Sequence, residues 1–105
     1  MTPITLKKAI SEELKDKEFA ILYEKERIIN SIACTVVELR QRQGLTQSEL
    51  AQKAHTTQPV IARLERGSDF RIPSLELLGR IAYALGKEIV IDFKQVSNIK
   101  QERYT

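Results

Sequence analysis

Apolar residues recur at helical spacing along most of this chain, and breaks in that rhythm divide it. In residues 6–23, Leu6, Ile10 and Leu14, then Phe19, Leu22 and Tyr23, fall three or four apart among dense charges. This predicts two short helices, with Asp16 capping the second. In residues 24–43 the pairs Ile28/Ile29, Ile32/Ala33 and Val36/Val37, followed by Leu39, predict one long helix with a wide apolar stripe, ended at Gly44. Thr46-Gln47-Ser48-Glu49 then reads as a capping box, in which a hydroxyl and a carboxylate each satisfy the other's backbone donor, so a new helix starts at Gln47. His55 and Thr56 form a turn, and Thr57 caps a third helix that tolerates Pro59 in its first turn and stops at Gly67. After an irregular link over residues 68–73, Ser74 caps a fourth helix through Leu75, Leu78, Ile81, Ala82 and Leu85, closed by Gly86. Ile89, Ile91 and Phe93 alternate as a single β-strand, and the polar tail from Lys94 is expected to be loose.

The expected fold class is therefore all-α, a helix-turn-helix bundle with an N-terminal helical extension and one short C-terminal strand. The divisions are residues 1–27 for the extension, 28–86 for the bundle and 87–105 for strand and tail. A length of 105 residues suits one hydrophobic core.

Charge sharpens this picture by its placement. The net of +3 is small, but residues 1–38 hold six basic and seven acidic side chains, whereas residues 39–86 hold seven basic against four acidic. A polyanion is expected at the middle of the chain. The lone cysteine, Cys34, excludes an internal disulfide and reads as a small buried apolar residue. No Cys/His spacing suits zinc, no cofactor motif is present, and His55 has neither a second histidine nor a nucleophile elbow to work with, so no catalytic residue and no metal site are expected. Without a signal-like or bilayer-length apolar run, a cytoplasmic protein with no membrane partner is expected.

Two short helices joined by a tight turn set a recognition helix across a supporting one. Leu45, Leu50, Ala51, Ile61 and Leu64 form the expected core, with Ala51 small where the helices approach. Gln58, Pro59, Ala62, Arg63 and Arg66 remain off the core face. Glutamine pairs with adenine and arginine with guanine in the major groove, two hydrogen bonds at a time, which suits Gln58 and Arg63 as base readers. Thr46, Gln47 and Thr57, at helix starts, suit phosphate oxygens. Arg40, Arg42, Lys53 and Arg80 serve equally well as solvated charges, Glu65 and Glu76 are possible ion-pair partners for Arg63, and Glu65 suits an internal pair with an arginine such as Arg40.

Leu39-Arg40, Gly44-Leu45-Thr46-Gln47, Leu50-Ala51, Gln58, Ile61, Leu64-Glu65-Arg66-Gly67, Pro73-Ser74-Leu75 and Ile81-Ala82 to Leu85-Gly86 together resemble the phage-repressor type of helix-turn-helix, the XRE family. The resemblance implies that Gln47 contacts the DNA backbone and braces Gln58, and that Gln58, Pro59 and Arg63 read bases. His55 stands where that family usually has Gly, at a position that often needs positive φ.

The flanks are similar to HigA-type antitoxins of bacterial toxin–antitoxin pairs. Phe19, Tyr23 and the charged helix after them carry the likeness, as does the terminal stretch Lys87-Glu88-Ile89-Val90-Ile91-Asp92-Phe93. This resemblance implies a non-enzymatic antitoxin that neutralises a RelE-like mRNA-cleaving toxin and represses its own operon as a homodimer on double-stranded operator DNA. Phe19, Leu22, Tyr23, Ile89, Ile91 and Phe93 are then the toxin-binding candidates. Phe19, Leu22 and Tyr23 suit packing on Ile28, Ile29 and Ile32 equally well. A lone strand needs a neighbour, supplied by a second copy or by the toxin. A stand-alone repressor, and a protein-binding module with a vestigial DNA motif, are the alternative functions.

Overall fold

The computed structural model describes residues 6–67 and 71–95 of the chain. Part of the irregular link over residues 68–73 and most of the tail beyond Lys94 lie outside them, as do the side chains of Leu6, Ile10 and Leu14. Four helices are present: α1 (Leu6–Arg42), α2 (Gln47–Lys53), α3 (Gln58–Arg66) and α4 (Leu75–Ala84). The described residues fall into two units, one over Lys25–Asp92 and one that takes in α1 as far as Glu24.

Within Lys25–Asp92 the helices surround one core. Val36 from α1, Leu50, Ala51 and Ala54 at α2, Ile61 and Leu64 from α3, and Ile81 and Leu85 at α4 are buried together. Leu50, Ala54 and Ile61 expose no surface at all, so each large side chain among them stabilises the unit by about 1.5–3 kcal/mol. Ile32, Leu39, Leu45, Leu77, Leu78 and Ala84 pack around this centre. Ile29 and Ala33 continue the buried stripe on α1, at the three- and four-residue spacing that keeps side chains on one helical face. α2 packs against α3 and α4.

The turns close as their residues dictate. Thr46 Oγ1 accepts from the Glu49 N–H and the Thr46 N–H donates to Glu49 Oε1, each at 3.0 Å, so the capping box forms in full. Ser74 Oγ accepts from the Leu77 N–H at 3.1 Å. Thr57 stands at the start of α3 with extended backbone, but its hydroxyl makes no capping bond. The α2–α3 turn is a Schellman closure, with His55 N–H on Gln52 O and Thr56 N–H on Ala51 O at 3.3 and 2.9 Å. Its left-handed residue is His55, at φ 55°, the one described non-glycine residue with positive φ. At the end of α3, Gly67 has φ 65°, and a Cβ there would lie 2.9 Å from Asn30 Oδ1 and 3.2 Å from Ala33 Cβ on α1. Glycine at position 67 serves both the backbone turn and the approach to α1.

Three expectations are corrected. The two short helices over residues 6–23 and the longer one after them are a single 37-residue α1, with no break at Asp16. No Gly or Pro occurs within it, Asp costs a helix interior only about 0.7 kcal/mol, and extending an existing helix is far easier than nucleating a new one. Phe19, Leu22 and Tyr23 are exposed, with Ile21, around a buried Ala20. The strand expected at Ile89, Ile91 and Phe93 is absent: residues 87–95 carry no regular secondary structure. A strand is defined by its ladder, and no described segment supplies one. Cys34 is exposed rather than buried, since it lies one residue, about 100° of helix, beyond the buried Ala33. Among the described residues no helix is long and apolar enough to cross a membrane.

Candidate nucleic-acid interface

α3 buries Ile61 and Leu64. Gln58, Ala62 and Arg66, and likewise Pro59 and Arg63, are spaced by four residues and so rise on successive turns away from that pair. Gln58, Pro59 and Arg66 are exposed, Ala62 and Arg63 half-buried. Thr46 and Thr57 are exposed at the starts of α2 and α3, with Gln47 half-buried beside them.

Gln58 does not stand alone. Its Nε2 donates to Gln47 Oε1 at 2.8 Å, and Gln47 Nε2 donates in turn to Glu65 Oε1 at 3.0 Å. Glu65 also accepts twice from Arg40: Nε to Oε2 at 2.7 Å and Nη2 to Oε1 at 2.9 Å. Arg40 completes the series by donating from Nη1 to Leu45 O at 2.7 Å. The bidentate pair is largely shielded from water, with 13% of the Arg40 side chain and 5% of the Glu65 side chain exposed. The hydrogen bond to Glu65 raises the Arg40 pKa above its ordinary value, against burial and with help from the carboxylate's charge. α1, α2 and α3 are thus tied by one polar chain that ends at the exposed amide of Gln58.

The predicted residues divide into three places. Thr46, Gln47 and Gln58 meet at the joined starts of α2 and α3. Arg63 lines a hollow of about 170 Å³ with Val60, Leu64, Arg71, Ile72 and Pro73. Arg66 borders a different, open hollow against α1, beside Asn30, Cys34 and Glu38. Glu65 is occupied by Arg40 and Gln47, and Arg42 bonds Glu38 one turn back on the surface of α1. Arg40 is a strut of the domain, not a solvated charge. Sequence reasoning missed two contributors. Arg80 Nη1 donates to His55 O at 3.1 Å and so supports the strained turn from α4; a polar residue 25 positions away gives no local signal of this. Arg71 shares the hollow of Arg63, and its basic charge just past the recognition helix was the available clue. Among the described residues, no group of three or more His, Cys, Asp or Glu side chains is placed to hold a metal ion.

A helix-turn-helix family profile matches residues 36–91. An uncharacterized HTH-type transcriptional regulator of Methanothermobacter thermautotrophicus is 47% identical over 55 residues, spanning 52% of this chain and 77% of its own. No solved structure matches the chain significantly. With more than half of its residues matched by that profile, and the braced pair of helices in place, the chain belongs to the helix-turn-helix family.

Proposed function

We propose that this protein is a transcriptional repressor that reads double-stranded operator DNA by laying α3 in the major groove. The observation that carries the reading is the Gln58–Gln47 hydrogen bond, which presents a pre-oriented amide at the N-terminal end of a helix whose opposite face is buried. Gln58, Pro59 and Arg63 are the base readers, Ala62 suits apolar contact with a thymine methyl, and Thr46, Gln47, Thr57 and Arg66 hold phosphates. The name of the archaeal relative, a transcriptional regulator, supports the same role. Residues 28–86 form the DNA-binding part, and a homodimer places two recognition helices on half-sites about 10 base pairs apart. Selection from randomised duplexes followed by affinity measurement across a salt series tests this. Affinity should fall by roughly 0.9 log unit per phosphate contact per log unit of salt; a salt-independent or absent interaction would remove DNA as the ligand.

A second function on the same chain, that of a HigA-type antitoxin, is favoured by the exposed apolar residues outside the DNA face. Phe19, Leu22 and Tyr23, with Ile21, lie open on α1, and Ile89, Ile91 and Phe93, with Val90, lie open after α4. Exposed clusters of this kind mark protein-binding surfaces, and the segment over residues 87–95, which carries no regular secondary structure, is suited to joining another chain's sheet. The partner on this reading is a RelE-like toxin met in the cytoplasm, bound by the extension (residues 1–27) and the terminal stretch (residues 87–105), with no catalysis by this chain. Tagged co-expression with the product of the adjacent gene decides it. A small partner that co-purifies and arrests growth when expressed alone supports the antitoxin; a homodimer without a partner leaves the stand-alone repressor.

A further inference from the structure

We propose that Glu65, which touches no base, sets which base Gln58 reads, by fixing the polarity of the two glutamine amides between them. This deepens the DNA-reading function above and rests on it. The argument follows hydrogen-bond chemistry outward from the buried end. A carboxylate oxygen accepts, and both oxygens of Glu65 already accept from Arg40, with 95% of the side chain covered, so Glu65 shows Gln47 an acceptor. Gln47 must therefore turn its NH2 group inward, as it does at 3.0 Å. Its oxygen is left facing Gln58 and accepts from Gln58 Nε2 at 2.8 Å. One N–H of Gln58 is spent in this way. The outer edge of its amide then carries an acceptor, Oε1, beside the remaining N–H donor. That is the complement of adenine, which shows an N6 donor next to the N7 acceptor in the major groove; guanine shows two acceptors, O6 and N7, and would meet an oxygen with an oxygen.

The same logic gives the sign of the effect when Glu65 is changed. In Glu65→Gln only one end of the new amide accepts, while Arg40 donates toward both ends, so either its oxygen or its NH2 faces Gln47 and the polarity passed outward is no longer fixed. The Gln58 amide is then no longer fixed from the buried end, and its acceptor and donor no longer stay in the order that adenine matches. Arg40 and Glu65 are accordingly positioning residues, acting on the base through Gln47 and Gln58. Gln47→Met offers an independent break: it leaves the Arg40–Glu65 pair intact and cuts the series between Glu65 and Gln58.

The test uses the full chain and duplexes selected by it. The base pair that Gln58 reads is found as the one whose preference disappears in Gln58→Ala, and the ratio of affinities for adenine and guanine at that pair is then measured for wild type, Glu65→Gln and Gln47→Met. Wild type should prefer adenine on the order of 10- to 100-fold, the worth of one bidentate contact. Glu65→Gln should bring that ratio toward unity, and so should Gln47→Met, which in addition weakens all duplexes alike through any lost phosphate contact. Circular dichroism and a melting curve establish that each variant is folded; should Glu65→Gln not fold, because Arg40 loses its partner, the double variant Arg40→Met with Glu65→Gln, which leaves no unpaired buried charge, is measured in its place. Folded variants that keep the wild-type ratio overturn the proposal and leave DNA reading in place, as does a wild type that prefers guanine at that pair. A wild type that retains no duplex overturns DNA reading itself.

Discussion

The joined starts of α2 and α3 and the stretch of α1 around Phe19 are both exposed helical surface, yet they are made of opposite materials. At the first, polar groups are satisfied in series: Thr46 with Glu49, Gln58 with Gln47, Gln47 with Glu65 and Glu65 with Arg40. At the second, Phe19, Ile21, Leu22 and Tyr23 meet water. Polar groups held in place beforehand gain little from non-specific contact and much from a ligand with matching donors and acceptors, which favours discrimination. Open apolar surface gains from any cover, and its contribution scales with area rather than pattern. One surface suits reading and the other suits holding.

The largest effect that separates the two is on stability. Leu50→Ala, in the centre of the bundle, should cost about 2–5 kcal/mol, whereas Leu22→Ala, with its side chain already in water, should stay within about 0.5 kcal/mol of wild type. Urea unfolding of the two variants checks this, and a comparable loss for Leu22→Ala would mean that the Phe19 face is covered within the folded protein. DNA affinity divides them next. Arg63→Ala should cost about 1–3 kcal/mol in operator binding and relax discrimination at one base pair, while Phe19→Ala should leave both unchanged; fluorescence anisotropy on matched duplexes reads the difference, and equal losses would merge the two surfaces into one.

Smaller effects probe how the reading face is held. Thr46→Ala should cost about 1 kcal/mol as a lost helix cap. Its partner adds a pH dependence: hydrogen bonds from the Thr46 N–H and hydroxyl region hold the Glu49 carboxyl below its ordinary pKa of 4.5. A lowered folded pKa means the cap's contribution is complete above the ordinary carboxylate range and is lost as pH falls through the lowered value. Wild type should therefore lose more stability on acidification below that range than Thr46→Ala does, as thermal melts at stepped pH would report. The smallest effect has the opposite sign. His55→Gly should stabilise by about 0.5–1 kcal/mol, since the left-handed backbone costs an L-residue about 1–2 kcal/mol and part of that gain is offset by glycine's greater freedom when unfolded.

How much of this was legible in the sequence follows the range of each interaction. The capping box, the Ser74 cap and the stop at Gly67 depend on residues within a few positions of one another, and each was readable, whereas the positive φ at His55 came from resemblance and the expected hydroxyl cap of Thr57 does not form. The brace between Gln47 and Gln58 came from resemblance, and the Arg40–Glu65 pair from asking what a carboxylate on the inner side of α3 could meet. The bond from Gln47 to Glu65 was not readable, because it depends on how two helices are set across each other. The continuity of α1 escaped for a different reason: apolar spacing shifts at Asp16, but a shift of the covered face does not require a break in the backbone. Ile89, Ile91 and Phe93 alternate as a strand would, yet alternation describes only which side chains share a face; the ladder has to come from elsewhere.

The brevity of α3 has a consequence for addressing. A helix of nine residues is about 13.5 Å long, which spans roughly four base pairs at 3.4 Å each. Three reading side chains that each fix one pair would accept about one site in 64 at random, against the roughly 10⁶–10⁹ competing sites of a genome. One copy of this helix therefore carries about six bits of address where at least about twenty are needed for a unique match in that smallest genome. Two copies on one duplex double the message to about twelve, and the remainder has to be written in the spacing between half-sites and in the stiffness of DNA that no side chain touches.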